Sequence, residues 1–176
     1  MPRAALLIID AQIALLQGAY LADDVVAAID EALRRARDVK APVVYLRHCH
    51  ASFAPMMKGA GTWEIDPRVA PQDGDVVIDK RASDGFWETA LEATMRDLEV
   101  SRVVVAGLQT EFCVDATCRA ALSKGFDITL VADGHTTGDA VTDAATTIRH
   151  HNYALTRLAH PECSVVAQRA AELEFG

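Results

Sequence analysis

The sequence predicts an α/β fold in three layers, a parallel sheet with helices packed on both faces. Short aliphatic, β-branched runs recur along the chain, and the stretches between them carry apolar residues at three- and four-residue spacing. Several of the short runs are apolar throughout instead of alternating, the pattern of strands covered on both sides.

Leu6-Leu7-Ile8-Ile9 is the first strand, and Asp10 ends it. Asp23 is the expected cap of the helix that follows, whose Val26, Ile29, Leu33 and Ala36 share one side. Pro42 stops that helix, and Val43-Val44-Tyr45-Leu46 is the second strand. Over residues 49–75 no period survives, and Pro55, Gly59, Gly61, Pro67 and Pro71 punctuate the stretch. A loop this long inside a compact domain is usually functional. Val76-Val77-Ile78 is the third strand, and a helix is expected over about residues 86–98. Val103-Val104-Val105-Ala106 is the fourth. Residues 107–111 then connect tightly into a helix that ends near Lys124-Gly125, where glycine supplies a left-handed cap. Ile128-Thr129-Leu130-Val131 is the fifth strand. A helix over about residues 139–158 carries Val141, Ala144, Ala145, Ile148, Asn152 and Leu155 down one side. Ser164-Val165-Val166 is the sixth strand, and a short helix closes the chain. No repeat, linker or low-complexity tract interrupts the pattern, so residues 1–176 read as a single domain.

Lys and Arg number 17 against 25 Asp and Glu, and the formal charge of −8 opposes broad attraction to phosphate backbones or anionic lipid. Neither nucleic acid nor membrane is therefore an expected partner. The apolar run over residues 4–9 is too short for a signal peptide or a membrane span, so a cytoplasmic setting is expected. There the four cysteines are expected as thiols. No G-x-G-x-x-G follows a strand and there is no Walker loop, so a dinucleotide or nucleoside triphosphate site has no support.

In a sheet of this kind ligands sit beyond the carboxyl ends of the strands. That rule selects Asp10, Arg47-His48, Asp79-Lys80 and residues 108–113. Cys113 falls where a helix should begin, and the free N–H groups and dipole there favour thiolate over thiol. Its other reading is a small buried apolar residue, which is how Cys118 and Cys163 read. Asp10 interrupts a wholly apolar strand, so it needs a cationic or hydrogen-bonding partner, or else caps the next segment. Lys80 ends its strand in the same layer, where a solvated strand end is the plainer reading. Together the three put an acid, a cation and a nucleophile on one sheet edge, a constellation for nucleophilic catalysis. On an extended backbone His48 and His50 point the same way and could share an ion, with Cys49 opposite. No further histidine occurs before His135, so the pair reads better as lining a substrate pocket.

These residues also carry a resemblance. The blocks are Leu7-Ile8-Ile9-Asp10-Ala11-Gln12, then Val77-Ile78-Asp79-Lys80 with Phe86 and Thr89, then residues 105–114 continuing through Thr117 and Arg119. Leu130-Val131-Ala132-Asp133-Gly134-His135-Thr136-Thr137 follows, with His151-Asn152 in the last long helix. In this order and spacing they resemble the isochorismatase-like cysteine hydrolases, which include nicotinamidases and N-carbamoylsarcosine amidohydrolases. The G-x-x-T-[DE]-x-C-V block, Gly107 to Val114, is the specific one.

The resemblance implies a Rossmann-like six-stranded sheet of order 3-2-1-4-5-6 and a catalytic Asp10, Lys80, Cys113 triad. Asp10 would be the general base, Lys80 would bias Cys113 toward thiolate, and Cys113 would attack the carbonyl and pass through a thioester. A non-proline cis peptide is implied at Leu108–Gln109, aiming the Gln109 N–H, beside that of Cys113, at the oxyanion. Nicotinamidases carry an Asp-x-His metal motif after strand two, where this chain has His48-Cys49-His50, so no metal or other cofactor is expected. The cysteine favours cleavage of a small amide or N-carbamoyl C–N bond. The alternatives are vinyl-ether or ester hydrolysis on the same scaffold, or a catalytically idle small-molecule-binding subunit. Phe53, Trp63, Phe86, Trp87 and Phe112 would line the pocket with His48 and His50, and all five aromatics could instead be core or interface. Relatives usually associate, so a homodimer or homotetramer is expected.

Overall fold

In the computed structural model, which describes residues 3–175, β1 (Arg3–Ile9) is buried from Ala4 onward because both of its faces are covered. It pairs in parallel with β2 (Val43–His48) on one side and β4 (Val100–Leu108) on the other. β3 (Val76–Lys80), β5 (Asp127–Thr136) and β6 (Val165–Gln168) complete a six-stranded parallel sheet of order β3-β2-β1-β4-β5-β6. The two-residue period of β1 divides the core. Ala4, Leu6 and Ile8 face α2 (Ala22–Asp38), whereas Ala5, Leu7 and Ile9 face the layer of α3 (Leu91–Asp97), α4 (Asp115–Ser123) and α5 (Ala144–Leu155). No helix among the described residues is long and apolar enough to cross a membrane.

Three expected helix starts are corrected. α2 is entered through Leu21 in the left-handed conformation with no side-chain cap, and Asp23 instead sits in the first turn. Its carboxylate accepts from Arg68 at 2.7 Å, which ties the helix to the long loop. α3 begins at Leu91 and not near Phe86. Asp84 Oδ1 accepts from the Phe86 N–H and Thr89 Oγ1 donates to the Gly85 carbonyl, which gives this backbone partners other than a helical ladder. α5 begins at Ala144 because Asp143 accepts from the Thr146 N–H at 2.7 Å as its N-cap. β4 and β5 run past their apolar runs to Leu108 and Thr136, after a register shift between Val105 and Gly107.

The stretch over residues 49–75 holds three short 3₁₀ turns, at Ala54–Met56, Gly61–Trp63 and Pro67–Val69. Gln12 pins it down. Its Nε2 donates to the carbonyls of His48 and Trp63, its Oε1 accepts from the His48 N–H, and its backbone bridges Ile65. The residue just past β1 thus ties the loop to the end of β2.

Candidate active site

Asp10, Lys80 and Cys113 meet at the carboxyl edge of the sheet. Asp10 leaves β1 in the left-handed region (φ 49), a conformation aspartate tolerates, and its side chain is fully buried. Lys80 ends β3 in register with His48, so the two side chains lie side by side. Cys113 is the fourth residue of a π-helical turn, Thr110–Val114, that leads into α4. The Phe112 and Val114 N–H groups both donate to the Gln109 carbonyl, and the Leu108–Gln109 peptide is cis. The Lys80 Nζ is 2.7 Å from Asp10 Oδ2, 3.0 Å from the Ala82 carbonyl, and 3.1 Å from both Cys113 Sγ and His48 Nδ1. An ammonium has only three hydrogens, so these four neighbours compete for them. Beyond the ion pair, neither Asp10 oxygen has a hydrogen-bond partner among the described residues, which leaves lone pairs open for a proton.

Two acids thus share one buried cation. Burial pushes the Asp10 carboxyl up, with Lys80 offsetting part of the shift. Burial and then the Asp10 charge push the Cys113 thiol up to about 12, against the pull of Lys80. Burial opposes the Lys80 charge, but Asp10 and Cys113 more than offset it and hold the ammonium above the ordinary lysine value. One negative charge is balanced by Lys80, and the second acid keeps its proton. This corrects the expectation of a resting thiolate, since desolvation and Asp10 outweigh Lys80. Alkylation of Cys113 by iodoacetamide is accordingly expected to be slow at neutral pH and to accelerate as pH rises. A rate already on its plateau near neutrality would show a preformed thiolate.

A cavity of about 510 Å³ opens onto Cys113 and Asp10. Leu15, Phe53, Met56 and Phe112 form its apolar walls, and His48, His50, Ser83 and Gln109 supply its other polar groups. A neighbouring cavity of about 620 Å³ shares His48 and His50 and adds Trp87, Met57, Lys58 and Arg81. His48, His50, Phe53, Gln109 and Phe112 therefore line the cavity at Cys113, while Trp87 belongs to the outer cavity. Trp63 and Phe86 are corrected. Trp63 is buried, donates from Nε1 to the His48 carbonyl and carries the Arg47 guanidinium 3.6 Å over its ring. Phe86 is buried and stacked on Phe126. Leu15, Met56 and Ser83 escaped the sequence reading. Only Leu15, just past Asp10, stands near a residue that could have pointed to it. A larger cavity of about 800 Å³ lies between α2 and α5, but neither Asp10, Lys80 nor Cys113 lines it.

The ring nitrogens of His48 and His50 can be assigned from their partners. Lys80 can only donate, so His48 Nδ1 accepts, and burial with Lys80 nearby holds this ring down to about 4. His50 Nδ1 accepts from the backbone N–H groups of Ser52 and Phe53 at 3.2 and 2.9 Å. Both neutral rings therefore carry their proton on Nε2. A metal-bound imidazole has the opposite polarity, donating from its second nitrogen to an acceptor. His48 and His50 do not fit a metal of the nicotinamidase kind. One oxygen of Asp10, one nitrogen of His48 and Cys113 Sγ also lie within 4.8 Å of one another, but the Lys80 ammonium already serves all three residues as their cation.

Behind the π turn, buried His135 accepts at Nδ1 from Thr110 Oγ1 at 2.9 Å and donates from Nε2 to Asn152 Oδ1 at 3.0 Å. Asn152 is oriented by donating from Nδ2 to the Ala132 carbonyl. Burial holds His135 neutral, down to about 4 from an ordinary 6.5. Because the folded value is depressed, the stabilisation is complete above pH 6.5 and is lost as pH falls toward 4. The loss from this ring is about 3 kcal/mol. His48, held down to about 4 as well, adds a loss of the same sign, so urea unfolding across that window is expected to show both and His135→Asn to flatten the profile in part. An unchanged profile would count against the buried neutral ring.

The isochorismatase domain profile matches residues 4–170. Streptothricin hydrolase from Streptomyces noursei is 35% identical over 138 residues, 77% of this chain and 50% of that protein, so the chain spans about half the length of that relative. An uncharacterised isochorismatase family protein from Bacillus subtilis is 34% identical over 134 residues, 70% of this chain and 68% of its own. Among solved structures, an isochorismatase from Pseudomonas putida superposes with a TM-score of 0.88 at 27% identity, covering 98% of this chain and 90% of that one. N-carbamoylsarcosine amidase from Thermoplasma acidophilum gives 0.81 at 25% identity, covering 98% and 99%.

Proposed function

The chain belongs to the isochorismatase family, and on that premise we propose that it hydrolyses a small amide or N-carbamoyl C–N bond through a thioester on Cys113. The observation that carries this reading is the buried contact of one ammonium with one carboxylate and one thiol, at 2.7 and 3.1 Å. The similarity to a streptothricin hydrolase and an N-carbamoylsarcosine amidase supports C–N chemistry.

Asp10 takes the thiol proton as Sγ attacks the carbonyl carbon. The C–S bond forms, and the carbonyl π pair moves onto oxygen, facing the Gln109 and Cys113 N–H groups. The oxyanion collapses, the C–N bond breaks, and Asp10 returns its proton to the leaving nitrogen. Water then adds to the thioester carbonyl, giving up its proton to Asp10. Collapse breaks the C–S bond, Asp10 reprotonates the sulfur, and the acid leaves. A carboxyl raised by burial suits this shuttle, since it holds the borrowed proton longer than an exposed one. Lys80 keeps the negative charge compensated wherever it resides.

The direct test is ammonia release from a panel of small amides and ureido acids, with Cys113→Ala as control. Release by the native chain alone supports the reading. Absence of release across the panel, or equal release by the variant, overturns it. The same reading includes a homodimer or homotetramer. Light scattering is expected to give at least twice the 19.0 kDa chain mass, and a 19.0 kDa species would remove that part.

A further inference from the structure

We propose that His48 and His50 form a two-donor recognition site for a second, uncharged hydrogen-bond acceptor on the substrate. The preferred substrate would then be a small amide or N-carbamoyl compound bearing a carbonyl or ether oxygen a few atoms from the scissile carbon. This rests on the hydrolase reading above and adds to it the chemistry of the substrate's other end.

The two rings stand 6.4 Å apart between centroids, both on the wall of the cavity that holds Cys113. Each is locked from behind, His48 by the Lys80 ammonium and His50 by two backbone N–H groups. Those contacts place the proton on Nε2, the far side of each ring from its lock. Neither Nε2 has a protein partner among the described residues. Two fixed N–H donors thus lie in the lining shared by two cavities, with Phe53 and Met56 directly beside His50 and Leu15 and Phe112 completing the apolar lining. An apolar acyl chain ending in an oxygen acceptor would satisfy both the donors and the apolar lining.

Charge narrows the class further. Within the catalytic cavity Asp10 is the formal charge on the wall, and Lys80 balances it. The cations on the outer cavity are also matched, Arg81 by Glu88 at 2.9 Å and Lys58 by Asp79 at 2.6 Å. A substrate carboxylate would be desolvated near Asp10 with only neutral donors to receive it. A neutral carbonyl or ether oxygen meets no such penalty.

Three amides of matched length separate the outcomes: pentanamide, 4-oxopentanamide and succinamic acid. The keto amide is expected to exceed pentanamide by about tenfold in kcat/KM, the worth of two modest hydrogen bonds. His50→Phe should collapse that ratio, and His50→Asn, which keeps an N–H donor, should recover part of it. Equal rates, or preference for the carboxylate, would overturn the inference and leave amide hydrolysis standing. Recognition can also be read without turnover, by ¹⁵N NMR of Cys113→Ala. Both rings should show the Nε2–H tautomer, and the keto amide, but not pentanamide, should shift both Nε2–H signals. An Nδ1–H tautomer at either ring, or no differential shift, counts against the donor pair. Intact differential shifts combined with no ammonia from any native digest would strike the hydrolase reading and spare the inference.

Discussion

Cys113→Ala, Asp10→Asn and Lys80→Ala are each expected to lower ammonia release by at least about a thousandfold, and pairs of them by little more than the worst single change. The reason is the shared buried cluster. Lys80 touches both acids, at 2.7 and 3.1 Å, and the Asp10 oxygens lack other hydrogen-bond partners among the described residues. With the sulfur gone no thioester forms. Asparagine cannot carry the thiol proton, and without Lys80 no cation balances the negative charge as it passes from Asp10 to the sulfur. The stability of the three variants should separate them. Cys113→Ala keeps the Lys80–Asp10 pair and Asp10→Asn leaves the buried ammonium with only the Cys113 thiol to balance it, whereas Lys80→Ala leaves a carboxylate buried and unpaired. That loss is on the order of 3–5 kcal/mol unless Asp10 takes up a proton. Urea unfolding at several pH values reads the difference, with Lys80→Ala recovering stability as pH falls and Asp10 protonates. Additive activity losses in the double variants, or near-native turnover by Asp10→Asn, would show that these groups do not act as one unit.

Much of this edge was legible because each piece has a local signature. A strand buried on both faces announces itself as Leu6-Leu7-Ile8-Ile9, so a charge at Asp10 stands out against it, and Lys80 and Cys113 follow from the same rule applied to later strands. What could not be read depends on contacts between segments distant in sequence. Trp63 and Phe86 look like pocket aromatics, yet Arg47 and Phe126 claim them. Met56 and Ser83 reach the cavity because Gln12 and Lys80 pin their loops, through the His48 and Trp63 carbonyls and through that of Ala82. The protonation of the thiol is set in the same way, by distant segments. A helix start argues for thiolate, but the deciding forces are burial and an Asp10 that lies 103 positions upstream. Likewise His48 and His50 invite a metal until their partners fix the protons on the wrong nitrogens for one.

Gly107→Ala is expected to be the most damaging glycine-to-alanine change among the described residues. Gly107 pairs with Ile9 between the two central strands, at φ +128, where L side chains are strained. A Cβ built there lands on the Ile9 carbonyl oxygen and lies 2.7 Å from the Ile9 carbonyl carbon. Both atoms are backbone in the middle of the sheet, so no rotamer change relieves the overlap, and β1 and β4 must separate. They are also the strands that end in Asp10 and in the Leu108–Gln109 peptide, so any separation pulls the carboxylate away from the turn that carries Cys113. A loss above about 4 kcal/mol is expected, enough to lower the melting temperature by at least about 10 °C or to leave the chain insoluble. Gly61→Ala is the control, because a Cβ there meets nothing within 4 Å. It is expected to stay within about 0.5 kcal/mol of the native chain. Thermal unfolding followed by circular dichroism compares the two, and a Gly107→Ala chain that melts like the control would mean that β1 and β4 do not approach this closely.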